Sequence, residues 1–384
     1  MNTTFFISRR LRFKGGLAMV CIAVSYLVMI IAVSVSNGFR SEIRGGLSAL
    51  SGDVQITPPD LNVLDQSRPI EADASYIPYI QDIDAVAAVT PAVYLAGIVR
   101  QDADIYGLMF KGVPGDMTGV SIPRGLADRA SLKEGDDLTA YFVGEKVRAR
   151  KFEVTSVYDS MLETDGRIVV HADMADLQRL CGWSENQVSA LEITLKDRNK
   201  DEEGILEAAR QIGYAVNAYS EESDAPVIAT SSISRFPQLF DWLDLIDFNV
   251  LFILILMTIV AGFNMISGLL IMLFENISTI GLFKALGMSD RSISKVFLSR
   301  AAWIVFKGMA VGNLLAFAFA MIQNRTHLLK LDPSNYFVPY VPVKIDAGSV
   351  LLADIGSFVA IMLLLLIPTL FISKVDPAQT VRMK

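Results

Sequence analysis

"FENISTIGLFKALGMSDRSISKVF", Phe274 to Phe297, lies between two long apolar runs. It is short, charged and periodic, and the fold turns on whether it is a loop between membrane spans. The run before it, Phe248–Phe274, carries no charge, and the run after it, Ala301–Gln323, carries only Lys307. Two further runs share this character: Gly15–Phe39, without charge, and Ala347–Ser373, with only Asp354. A helix needs about 20 mostly apolar residues to cross about 30 Å of hydrocarbon. The sequence therefore predicts four transmembrane helices, at 15–39, 248–274, 301–323 and 347–373. The first is too long for a signal-peptide core of about 7–15 residues, so it reads as a retained span. Lys307 and Asp354 fall near span ends, where interfacial anchoring is the economical reading.

Composition agrees, since 52% of the 384 residues are hydrophobic, more than a soluble chain of this size carries. Basic residues flank the cytoplasmic ends of spans. Arg9, Arg10, Arg12 and Lys14 precede the first span, Lys284, Arg291, Lys295 and Arg300 lie between the second and third, and Lys374, Arg382 and Lys384 follow the fourth. This predicts a cytoplasmic amphipathic N-terminus (1–14), a cytoplasmic loop (275–300) and a cytoplasmic tail (374–384). Residues 37–247 hold 35 acidic against 19 basic residues, so that block is expected outside, in a bacterial inner-membrane protein. A shorter outer loop spans 324–346. The two cysteines, Cys21 and Cys181, fall on different sides of this topology and are not expected to pair.

The outer region, 40–247, starts and ends with amphipathic stripes: Phe39, Ile43 and Leu47 after the first span, and Phe236, Leu239, Phe240 and Leu243 before the second. They predict helical extensions that pack as a stalk. Between them, short strands alternate with helices at 74–83, 171–182 and from Asp201, and a hairpin is expected around "VGEK" (143–146). The prediction is a mixed α/β domain in two lobes.

Chemistry is sparse. Gly281 and Gly287 bracket "LFKAL", but no Lys-Ser or Lys-Thr follows, so there is no phosphate loop. His171 and His327 are far apart, no Cys/His spacing suits a metal, and no Ser sits in a nucleophile motif. Acid pairs such as Asp136–Asp137 and Glu221–Glu222 read as solvated loops. The chain is expected to be non-catalytic, with no cofactor of its own.

In the quoted stretch, Ile277, Ile280, Phe283 and Leu286 fall on one helical face, with Leu282 beside it and Lys284 elsewhere. Gly287 ends this helix and Ser289 starts the next, which Ile293, Val296 and Phe297 carry into the third span. Periodicity alone leaves two readings open: a helix resting on lipid, or one filling a partner's groove.

"ENISTIGLFKALGMSDRSI" resembles the coupling loop of FtsX/MacB-type ABC transporter permeases, matching at Glu275, Ile280, Gly281, Leu282, Lys284, Ala285, Leu286, Gly287 and Met288. Thr279 replaces the second acid of that pattern. "VSVSNGFRSEIRGGLSALSGDVQI" (33–56) and "AGFNMISGLLIMLFEN" (261–276) resemble the lipoprotein-releasing (Lol) branch. The resemblance implies a MacB-like outer domain between helices one and two. It implies two partner ATPases, which hold the ATP and Mg, and a second permease subunit, alike or different. The implied task is extraction of lipoproteins from the outer leaflet, with export of another substrate or a FtsX-like relay as rivals. On that reading the coupling helix is 275–288. Val24, Val28, Ile31, Val35, Phe39, Phe263 and Ile266 line the lipid path, and Asn37 and Asn264 meet polar heads. Some members carry a long proline-bearing hairpin that recruits a periplasmic carrier. Here the hairpin Tyr141–Arg150 is short and proline-free, leaving Lys146, Arg148 and Arg150 as a candidate carrier contact.

Overall fold

The computed structural model describes residues 16–59, 68–101, 104–115, 117–143, 147–159, 168–197, 201–332 and 336–370. Lys146, the N-terminal segment 1–14 and the tail 374–384 lie outside them. The chain forms two compact units, one of Met1–Arg40, Trp242–Leu329 and Val341–Lys384, the other of Ser41–Asp241 and Lys330–Tyr340.

The second unit is α/β. Its strands are β1 (Val54–Thr57), β2 (Ile70–Glu71), β3 (Val86–Gln101), β4 (Asp104–Val113), β5 (Val120–Pro123), β6 (Asp137–Val143), β7 (Val147–Tyr158), β8 (Ile168–Asp173), β9 (Gln187–Val188), β10 (Ala190–Leu195) and β11 (Ile228–Ser231). The main sheet runs β11-β1-β10-β3-β4-β8-β5-β7-β6, and β6 pairs back onto β3. The six strands from β3 to β6 therefore close on themselves, which removes their edges. The device is the 16-residue β3. Its first half pairs with β10 through Val86–Ala92, and its second half pairs with β4 from Val93 onward and with β6 at Gly97–Val99. One strand thus serves two lobes. Gly97 permits the closure, because a Cβ there would sit 2.9 Å from the rings of Phe110 and Phe142.

Helices cover these sheets. The helix at Met174–Cys181 starts at an Asp173 cap and ends at Gly182 in a left-handed conformation. It begins later than the sequence suggests, because His171 to Asp173 complete β8. Glu202–Tyr219 buries Ile205, Ala208, Ile212 and Val216 in the core shared with Val54, Ile56, Leu191 and Ile193. One buried charge stands out: the Lys111 ammonium is 2.9 Å from Glu192 and donates to the carbonyls of Leu50 (2.8 Å) and Ala49 (3.3 Å). These are terminal carbonyls of a long helix that lack intrahelical partners, and the cation suits the negative end of its dipole.

The first unit is a helical bundle, and its helices are labelled in chain order: α1 (Gly16–Ser51), α2 (Pro237–Glu275), α3 (Ile277–Ala285), α4 (Asp290–Thr326) and α5 (Ala347–Leu364), with the turn Leu366–Thr369. Among the described residues, four helices are long and apolar enough to cross a membrane: α1, α2, α4 and Ala347–Thr369. Their core joins Ile22, Tyr26 and Met29 of α1, Met265, Leu269 and Met272 of α2, Val296, Phe297 and Val305 of α4, and Ile361. In α4, Gly308 and Gly312 let α1 approach closely: added Cβ atoms would lie 2.6 Å from Ile22 Cγ2 and from the Ala23 carbonyl oxygen. Small residues four apart are a common seam between membrane helices.

Candidate functional site

The quoted stretch folds as helix, glycine break, helix. Gly287 takes φ +84°, and its N–H and that of Met288 bond the carbonyls of Lys284 and Phe283 at 2.9 Å. Ser289 sits at the N-cap of α4 with no side-chain capping bond; its hydroxyl is 3.0 Å from that of Ser292.

The direction of the apolar face corrects the sequence reading. Ile280 is 1% exposed and joins the bundle core, with Phe283 and Met288 packed against it. Gly281 is also buried, and Ile277 is half-buried. Ile280 and Phe283 of the stripe are thus taken up by the chain's own core, while Ile277 stays half-buried. The outward side carries Leu282, 54% exposed, and Leu286, 75% exposed, beside exposed Glu275, Ser278, Ala285 and Gly287. Lys284 turns aside, with its ammonium 3.0 Å from Asp290.

The positions expected to line a lipid path divide. Val24 is 52% and Phe263 63% exposed. Val28, Ile31, Val35, Asn37, Asn264 and Ile266 are half-buried. Phe39 is not available to lipid: it is 7% exposed and packs edge-on against Trp242 at 5.6 Å. Of the stalk residues, Ile43, Leu47, Phe240 and Leu243 are buried, while Phe236 and Leu239 are half-buried. Next to Phe39, Gly38 supports a backbone crossing. A Cβ on it would collide with the Pro342 carbonyl, and the Lys344 N–H bonds the Ser34 carbonyl at 2.9 Å.

Two intramembrane charges differ in fate. Lys307 is exposed, its ammonium 5.5 Å from the Trp303 ring centre, as a snorkelling lysine would be. Asp354 is not an interfacial anchor. It lies within α5, 8% exposed, and accepts from Asn313 Nδ2 of α4 at 2.6 Å. One turn on, Ser357 bonds the Tyr26 hydroxyl of α1 at 3.0 Å. These bonds tie three helices together; the sequence hid them, because each residue is isolated in its own apolar run.

The described residues of the basic spot on the β6–β7 hairpin are exposed and make surface contacts. Arg148 donates to the Leu180 carbonyl, Arg150 is 3.5 Å from Asp176, and Lys151 is 2.6 Å from Asp137. Cys181 is half-buried, and burial pushes its thiol up to about 11. Among the described residues no group of three or more His, Cys, Asp or Glu could hold a metal.

With this geometry in view, likeness to known proteins is informative. Residues 16–212 match the family described as MacB-like periplasmic core domain, and residues 251–377 match FtsX-like permease C-terminal. The lipoprotein-releasing system transmembrane protein LolC of Neisseria meningitidis is 25% identical, covering 94% of this chain and 92% of that one. Its counterpart LolE from Haemophilus influenzae is 22% identical, covering 99% of each. The crystal structure of the periplasmic region of MacB from Actinobacillus actinomycetemcomitans overlaps 48% of this chain and 91% of its own at 11% identity, with a TM-score of 0.31.

Proposed function

The chain belongs to the MacB-like periplasmic core family and carries an FtsX-like permease C-terminal region, and from that premise we propose that it is the membrane subunit of an ABC transporter that releases lipoproteins. What carries the reading is similarity to lipoprotein-releasing transmembrane proteins over nearly the whole chain, with the two matched regions in the order the family pattern implies.

The physical task is detachment of acyl chains, each buried CH₂ holding by about 0.8 kcal/mol. Long acyl chains do not leave on their own, so the work comes from outside. In this reading α3 faces the cytoplasm, as the basic residues around it suggest. Leu282 and Leu286 enter a groove on an ATPase carried by a separate chain, which holds ATP and Mg. Two ATPases and a second permease subunit complete the assembly, in a bacterial inner membrane with both termini cytoplasmic. Closure of the ATPases moves α3, and α1 and α2, which run unbroken from the bundle into the stalk segments, carry the movement outward. Val24, Val28, Ile31, Val35, Phe263 and Ile266 would face the acyl chains, and Asn37 and Asn264 the polar head. A periplasmic carrier would receive the product, with Lys146, Arg148 and Arg150 as its candidate contact.

The test is purification of the tagged chain from native membranes of cells labelled with a radioactive fatty acid. Recovery of an ATPase together with labelled proteins, and loss of the label on adding ATP, is expected. Recovery of unacylated partners alone would refute lipoprotein release.

A further inference from the structure

The N-cap of α5 and its interior each hold an aspartate, in opposite surroundings. Asp346, the cap, is exposed, and its carboxylate accepts from the Ser349 N–H and hydroxyl, each at 2.7 Å. Asp354, about 12 Å further along the helix, is 8% exposed. Its Oδ2 accepts from Asn313 Nδ2 of α4 at 2.6 Å, but its Oδ1 is buried without a partner. The Oδ1 of Asn313 is in the same position. The pair therefore holds two buried acceptors and a donor for neither. Buried acceptors left unmet cost free energy, so each needs a physical explanation. The groups around them offer none. One turn on, the Ser357 hydroxyl is 2.7 Å from the Ala353 carbonyl and 3.0 Å from the Tyr26 hydroxyl of α1, so these hydroxyls are engaged. Besides Asp354 and Tyr26, the ionisable groups of the four apolar runs are Cys21 and Lys307. Lys307 is exposed beside Trp303, and the run of α2 at 248–274 brings no ionisable group.

We propose that Asp354 is a proton-binding site: its carboxyl is un-ionised inside the bundle, and the hydrogen it carries makes a second bond to Asn313. An ionised carboxylate offers acceptors only, whereas a carboxylic acid adds a donor. The acid O–H meets the Asn313 carbonyl oxygen while the acid carbonyl keeps the amide N–H, so one hydrogen serves both orphan oxygens. The orientation of the amide does not change the conclusion. With its O and N exchanged, two acceptors would face each other at the 2.6 Å separation, and a carboxyl hydrogen is what could hold them there. Without a buried cation beside it, the neutral carboxyl is the form an apolar interior accepts. A hard cation in the proton's place would ask for about six oxygen ligands, far more than this pair offers. The result is an uncharged clasp between α4 and α5, of the kind that polar side chains make between membrane helices. It goes beyond the proposed transport role and does not depend on which cargo the complex carries.

The experiment compares infrared spectra of the whole complex in lipid nanodiscs at neutral pH, parent against Asp354→Asn. The difference spectrum is expected to show loss of the carbonyl stretch of an un-ionised carboxylic acid. Loss of carboxylate bands instead would overturn the proposal, and would mean an ionised group. Thermal unfolding is read on the same samples. Asparagine can both donate to and accept from Asn313, so Asp354→Asn should unfold where the parent does. A variant that fails to assemble, or unfolds well below the parent, shows that the charge is needed and sinks the idea. Asn313→Ala tests the partner. Without the amide donor, the acid carbonyl stretch should move to higher frequency. A band that stays in place, or carboxylate bands appearing in the parent alone, would count against the shared hydrogen. Cargo plays no part in these readings, so a complex that carries no lipoprotein leaves this test intact.

Discussion

Lys111 is a lone cation in the strand "LMFKGV", and nothing in that string says it is buried. Its reason for being there is 62 and 61 residues away in sequence, at the Ala49 and Leu50 carbonyls, and in Glu192. Replacing it with methionine leaves Glu192 as an unpaired buried charge, which costs about 3–5 kcal/mol. Thermal unfolding in detergent should show a large fall for Lys111→Met and a smaller one when Glu192→Gln is added. Equal falls would deny the pairing. Gly38 is a related case. As part of "NGF" it resembled a family motif, and its physical meaning is the Pro342 backbone lying across it. Gly38→Ala should therefore destabilise. Gly45→Ala, in the same helix with open space around it, should stabilise by about 0.5–1 kcal/mol. The same thermal assay separates the two.

At the scale of elements, periodicity placed α3 and its glycine break well, and the four long helices rest on apolar runs that leave little choice. What periodicity could not supply was direction. A stripe of apolar residues marks a face to be covered, but not whether the cover is lipid, a partner or the chain's own core. Here the core took Ile280 and Phe283, and the exposed pair is Leu282 and Leu286. The two faces make distinguishable predictions. Leu286→Glu should leave the chain folded and abolish ATP hydrolysis stimulated by complex formation. Ile280→Asp should lower the yield of folded protein, because it buries an unpaired charge. Loss of folding with Leu286→Glu, or normal coupling in a well-folded complex, would go against this assignment. The Gly308–Gly312 seam was missed for a plain reason. Inside an apolar run, glycine reads as composition, and its role emerges only when Ile22 and Ala23 are found against it.

At the scale of the whole molecule, charge and hydropathy were enough to separate spanning helices from an inserted α/β domain. They could not show that one 16-residue strand joins both parts of the main sheet, since β3 pairs with β10, β4 and β6, partners that all follow it in sequence, at 190–195, 104–113 and 137–143. Strand pairing is a long-range choice, and local pattern does not encode it. Nor could they reveal the polar contacts of Ser36 and Arg40 with Asp244 and Asp247, which join residues 204 to 211 apart. The functional account needs all three scales, but it stands on one contact, the outward face of α3 on a nucleotide-driven partner. The most direct measurement places a photo-reactive amino acid at Leu286, irradiates native membranes, and identifies the adduct by mass spectrometry. The account predicts a cross-link to an ABC ATPase subunit. Adducts to phospholipid alone, in membranes where that ATPase is present, would contradict it.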